Sequence, residues 1–196
     1  MISLMRKNKL LFILSIFSLL LFTIGFISYF YFDSSIQEMS FQNINQFLSQ
    51  IKSDNYSFFK FFMSIFFRDS IFVIFIWIFG ISIFGVLFSL SFYFFEIFLF
   101  SLEVASLFSC FQKIPIVFSI FFIFINLFKF FLFFILVYYS SSFSILLFRF
   151  LFFQKDYSIK IIFKKYLKVF IIVFIFIVFV ILLEALFFSK VLIHFI

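Results

Sequence analysis

The chain has 196 residues, 67% hydrophobic and 12% charged, with a mean hydropathy of +1.35 and a formal net charge of +7. A soluble domain of this length cannot bury so much apolar surface, so the class is integral membrane protein. The positive charge lies mostly at the ends of apolar runs, where membrane topology explains it better than nucleic-acid binding does.

The chain begins with a basic stretch, Arg6, Lys7 and Lys9, followed by the uncharged run Leu10 to Phe32. That run is too long for a signal peptide and carries no small-residue cleavage site, so it reads as an uncleaved anchor and first span. Residues 33–69 form the one substantial polar segment. Within it Ile36, Ser40, Ile44, Phe47, Leu48 and Ile51 recur at helical spacing, with Gln37, Glu38, Asn43, Asn45, Gln46 and Gln50 opposite. The pattern predicts an amphipathic helix at the interface or against the bundle. "NYSFFKFFMSIFFR", Asn55 to Arg68, reads as a second interfacial stretch, with Lys60 and Arg68 placed to snorkel.

Ser70 to Phe95 gives a second span, Phe130 to Phe153 a later one and Val169 to Phe188 the last. Between them, Ile97 to Phe111 and Ile114 to Phe128 are each short for a crossing. Charge placement arbitrates. The N-terminal basic cluster and the cluster Arg149, Lys155, Lys160, Lys164, Lys165 and Lys168 both belong in the cytoplasm by the positive-inside rule. An even number of crossings must separate them, so 96–128 crosses once, as a broken helix or a helix plus a half-helix. The expectation is an all-α bundle of five spans, about 10–32, 70–95, 96–128, 130–153 and 169–188, in a single domain. It has a cytoplasmic N-terminus, an extracytoplasmic segment at 33–69 and a cytoplasmic basic loop at 154–168.

Two of the chain's three glycines, Gly80 and Gly85, lie within "IWIFGISIFG", Ile76 to Gly85, just after the only tryptophan, Trp77. Gly80, Ser82 and Gly85 are small residues that allow close helix approach in lipid; they read either as a kink or packing point or as a partner-binding groove. This stretch resembles the Trp-aliphatic-aliphatic-Gly-aliphatic-Ser-aliphatic-aliphatic-Gly core of the stage II sporulation protein M family of bacterial five-span membrane proteins. The exit of the first span, from Gly25 through "NINQFLSQ", and "LLEALFFSKVL" in the last span, with Glu184 and Ala185, are similar to the family's segments there. The resemblance runs along nearly the whole chain. It implies a non-enzymatic scaffold at the mother-cell septal membrane during engulfment, holding two peptidoglycan-degrading partners, stage II sporulation proteins D and P.

Glu96 and Glu103, seven apart, share a helix face. Glu96 is expected at the cytoplasmic boundary and Glu103 about 10 Å deeper, buried between helices, either as a structural acid or on a proton or ligand path. Lys129 is expected near the extracytoplasmic end of its span. Asn126 reads as an interhelical hydrogen-bond donor and Glu184 as an interfacial acid, paired with Lys190 or packed against a partner. Cys110 reads as a small core hydrophobe, and His194 has no second ligand or base nearby. The sequence contains no phosphate loop, no framed carboxylate pair and no Ser-His-Asp set, so no catalytic, metal or cofactor residue is expected. Membrane lipid and membrane-anchored proteins are the expected partners. The alternative is a permease-like transport subunit served by a separate ATPase, which broken spans and an intramembrane Glu103 would suit.

Overall fold

The computed structural model describes residues 9–52, 58–109, 114–153 and 158–191. It is an all-α polytopic bundle. The helices are α1 (Lys9–Tyr29), α2 (Ser34–Lys52), α3 (Phe58–Gly80), α4 (Gly85–Ser109), α5 (Ile116–Phe153) and α6 (Ile159–Leu186), the last continuing as a π-helical turn, Phe187–Val191. Five of them, all but α2, are long and apolar enough to cross a membrane.

The number of spans is as expected, but their boundaries are not. The expected second span, 70–95, is two helices that meet at a turn inside the glycine motif. The segment expected to lie at the interface before it, Phe58 to Arg68, is the first half of α3. The expected broken crossing at 96–128 is the second half of α4 and the first third of α5. One cause explains all three shifts. Arg68, Asp69, Glu96 and Lys129 read as span ends in the sequence, yet they lie in the middle of helices.

The turn at Ile81–Phe84 follows from hydrogen bonding at the end of α3. The Ile81 N–H donates to Ile78 O (3.1 Å) and the Ser82 N–H to Phe79 O (2.9 Å), tightening the last turn into the i→i−3 pattern. Ser82 Oγ also donates to Phe79 O at 2.9 Å. Tightening leaves the Trp77 carbonyl without its usual helical partner, and Tyr166 Oη of α6 donates to it instead at 2.8 Å. From α5, Ser140 Oγ donates to Ile76 O (3.0 Å), and Ser144 Oγ shares its proton between Ser82 O (2.8 Å) and Ile83 O (3.0 Å). The hairpin end is thus fastened to both neighbouring helices through backbone carbonyls that lipid could not satisfy.

The contacts set helix directions. α1 runs parallel to α4, with Ser18 beside Tyr93, Gly25 beside Ser101 and Tyr29 beside Ser109. α3 lies against α4, α5 and α6. Its axis is followed by Val73 and Ile76, which with Leu136, Val137, Ile177 and Ile181 form a fully buried core. Lys9 and the lysines of α6 therefore lie at the same end of the bundle as the α3–α4 turn. At the opposite end α2 seats its apolar face, with Leu48 buried, over Leu107, Ile114, Phe118 and Phe188. Gln37 Nε2 donates to Phe32 O at 3.1 Å, closing the α1–α2 corner.

The turn is directly testable. In a Cys110→Ser background, Phe84→Cys, exposed at the turn, should react with a membrane-impermeant maleimide from the face that carries Lys160 and Lys164. Phe95→Cys, outward-facing at mid-helix, should stay unlabelled. Equal labelling at both sites would mean that α4 does not begin at Gly85.

Candidate functional site

Three charged side chains come together deep in the bundle, and a fourth, Arg68, joins them from its surface. Asp69 of α3, Lys129 of α5 and Glu184 of α6 are all buried, with Lys129 only 2% exposed. Lys129 Nζ meets Asp69 Oδ2 at 2.7 Å as an ion pair and donates a hydrogen bond to Glu184 Oε2. Arg68 Nε donates to Asp69 Oδ1 at 2.9 Å, while the rest of the Arg68 side chain, 69% exposed, reaches outward. Asp69 precedes Gly80 by eleven residues, so the cluster lies about 16 Å along α3 from the turn, near mid-membrane.

The arrangement follows from electrostatics in a medium without water. A lone cation at this depth costs several kcal/mol unless carboxylates compensate it. One lysine between two carboxylates, with an arginine on the far side of one of them, brings the four groups to zero net charge. The three helices that contribute also supply most of the apolar core, which Tyr93 and Ile97 of α4 complete. The cluster therefore sets their registers relative to one another, since a slip of one turn in any of α3, α5 or α6 would separate the charges.

A cleft of about 280 Å³ adjoins the cluster between α3 and α4, floored by α5. Arg68, Asp69, Glu96, Asn126 and Lys129 supply its polar lining, and aromatic rings of all three helices, among them Phe75, Phe92 and Phe95, supply its walls. Glu96 lies eleven residues past Gly85 and so at the same depth as Asp69. No ion pair or hydrogen bond reaches the carboxylates of Glu96 or Glu103 among the described residues.

The residues singled out in the sequence fall into two groups. Trp77, Gly80, Ser82 and Gly85 gather at the turn. The Trp77 ring stacks on Phe170 (4.6 Å between centroids, 25°) and more distantly on Tyr166 (6.4 Å). A Cβ at Gly80 would collide with Tyr166 Oη and Ser140 Oγ, so the glycine marks the closest approach of α3 to α5 and α6. A Cβ at Gly85 would strike the carbonyl oxygen of Phe79, so that glycine serves the turn itself. Ser82 is exposed in the turn and packs no helix face.

The second group departs more from expectation. Glu184 is not interfacial; it pairs with Lys129, and the side chain of Lys190 lies outside the described residues. Lys129 is thirteen residues into α5, about 20 Å from its start, because that helix begins at Ile116, directly after Pro115. Asn126 Nδ2 donates within its own helix, to Phe122 O at 3.0 Å, and bridges no helices. Glu103 is exposed on the outward face of α4 rather than buried between helices, and Glu96 is half-buried at mid-span rather than at a boundary. Cys110 and His194 lie outside the described residues. Asp69, Tyr166 and Ser140 were not singled out in the sequence. Lys129, with fifteen uncharged residues before it and nineteen after it, was the available signal: a cation so placed requires acids at equal depth. No group of three or more metal-ligating side chains is found among the described residues.

No family model, no curated protein and no solved structure matches the chain.

Two substitutions test the site. Lys129→Met strands two buried carboxylates and should cost about 3–5 kcal/mol, lowering accumulation in membranes. The combination Asp69→Asn, Lys129→Met, Glu184→Gln should recover most of that loss. No recovery would mean that Lys129 contributes through something other than charge pairing. Separately, Gly80→Ala should lower thermal stability in detergent by about 1–3 kcal/mol, whereas Ile78→Phe, on the outward face, should be near neutral.

Proposed function

We propose that the protein is a non-enzymatic scaffold in the bacterial cytoplasmic membrane. In this reading it belongs to the engulfment machinery of sporulation and holds peptidoglycan-degrading partners at the septal membrane. The observation that carries the proposal is how the buried ionisable groups are used. Asp69, Lys129 and Glu184 close on one another across three helices, which fixes the bundle and leaves none of the three available for a reaction. The resemblance of Ile76 to Gly85 to the stage II sporulation protein M core adds the specific context, and stage II sporulation proteins D and P are the partners it suggests. Sidedness follows from charge: the turn end, which carries Lys9, Lys160, Lys164 and Lys168, is assigned to the cytoplasm, and α2 to the outer face.

A permease-like subunit is the second reading, favoured by the cleft beside the cluster. Its volume, about 280 Å³, lies at the lower edge of the roughly 300–1,000 Å³ typical of small-molecule sites. No broken span accompanies it: α3, α4 and α5 are each continuous past the cluster.

The deciding experiment is affinity capture of the tagged full chain from membranes solubilised during engulfment. Membrane-anchored peptidoglycan hydrolases should co-purify. Capture of an ATPase without hydrolases would replace the scaffold with the transporter.

A further inference from the structure

The charged groups at mid-membrane depth do not balance. Around the cluster and its cleft on α3 to α6 there are four carboxylates, Asp69, Glu96 and Glu184 at this depth and Glu103 about 10 Å further toward the α2 end, against two cations, Arg68 and Lys129. Lys129 contacts both Asp69 and Glu184, and Arg68 is bonded to Asp69 through Nε while the rest of its side chain reaches outward along the cleft that Glu96 also lines. Glu96 and Glu103 remain, seven residues apart on one side of α4. Glu96 lines the cleft, and Glu103 continues the outward stripe of Phe92, Phe95 and Leu99 two turns further on. The cleft's α3 wall, Ile71 and Phe75, also faces outward. The whole forms a groove between α3 and α4 that is aromatic along its walls, acidic along one edge and directed into lipid.

We infer that this groove docks a transmembrane helix of a partner protein, one that carries a lysine or arginine at mid-membrane depth. The inference rests on the scaffold reading and specifies where a partner is held and by what chemistry. Charge complementarity selects the occupant. Acyl chains cannot compensate two carboxylates. A second copy of the chain would bring the same surplus of carboxylates over cations, so it would add no net positive charge to the groove. A basic helix supplies what is missing. Its apolar side chains cover Phe92, Phe95 and Leu99, and its cation reaches Glu96 or Glu103. The cleft beside Glu96 has room for a long side chain and is small for a transported solute.

The test uses the full-length protein in phosphatidylcholine–phosphatidylglycerol vesicles, labelled with an acceptor fluorophore at Phe84→Cys in the Cys110→Ser background. Donor-labelled single-span leucine helices serve as probes, carrying arginine, glutamine or glutamate at the centre, or leucine throughout. The arginine helix should associate roughly tenfold more tightly than the all-leucine helix, by energy transfer at equal density. Glu96→Gln with Glu103→Gln should abolish the preference, and both changes remove charge from lipid, so the bundle should remain folded. Glu38→Gln, on α2 and away from the groove, should keep it. An arginine helix no tighter than leucine overturns the inference; that is the result if the carboxylates hold protons or small cations. A preference that survives the double substitution also overturns it, as does displacement of the arginine helix by unlabelled copies of the protein itself. The two readings fail separately. Loss of hydrolases from the affinity capture removes the scaffold assignment and leaves the vesicle result standing. An absent arginine preference removes the groove assignment and leaves the capture result standing.

Discussion

A lysine with almost no exposure, set between two carboxylates from different helices, is the constraint on which this bundle depends. Hydrocarbon gives helices no hydrophobic reason to associate, because lipid tails are as apolar as leucine and phenylalanine. What distinguishes one packing from another must then come from polar compensation and from shape. The Asp69–Lys129–Glu184 cluster supplies the first. It links α3, α5 and α6 at a single depth, and each of its charges is tolerable only while the other two are in place. Its net worth to stability need not be large, because desolvation consumes much of the attraction. Its worth to specificity is larger, since an alternative register leaves bare charges in lipid.

The second constraint lies about 16 Å away, at the hairpin turn. There the carbonyls released by the end of α3 would be left without helical partners at the membrane boundary. Tyr166, Ser140 and Ser144 reach them from the same two helices that complete the charge cluster. Gly80 makes this possible by letting those hydroxyls approach the α3 backbone, and Trp77 closes the site by stacking on Phe170. Two separated points of attachment hold α3 against α5 and α6 in both tilt and register. The apolar layer between them, Val73 and Ile76 against Val137 and Ile177, can then be built from ordinary aliphatic residues.

The sequence made the class, the number of spans and the amphipathic helix legible, because each depends on composition or period over many residues. Helix boundaries were not, for a specific reason. Arg68–Asp69, Glu96 and Lys129 interrupt apolar runs, and a charge that interrupts such a run is ordinarily where a span ends. The exception requires a partner on another helix, and pairing across helices is a property of the fold, invisible in the spacing of one segment. The same mistake placed Glu103 too deep and Glu184 too shallow. The glycine motif shows the converse: Gly80 lies at a close helix approach, but Ser82 and Gly85 belong to a turn, and a turn between two spans and a kink within one carry the same residues.

The two halves of the buried charge are used differently, and that difference bears on function. A transport site needs ionisable groups that can release one partner and take another along a path. Asp69, Lys129 and Glu184 cannot do so without opening three helices. Glu96 and Glu103 make no ion pair or hydrogen bond among the described residues; Glu103 stands on the outward face of α4, and Glu96, half-buried, lines the cleft that opens there. Charges left uncompensated within the chain, on its lipid-facing side, are compensated most simply by another polypeptide at the same depth. In the proposed scaffold reading, the closed internal charges hold the bundle rigid and the outward carboxylates are where a partner helix would be recognised.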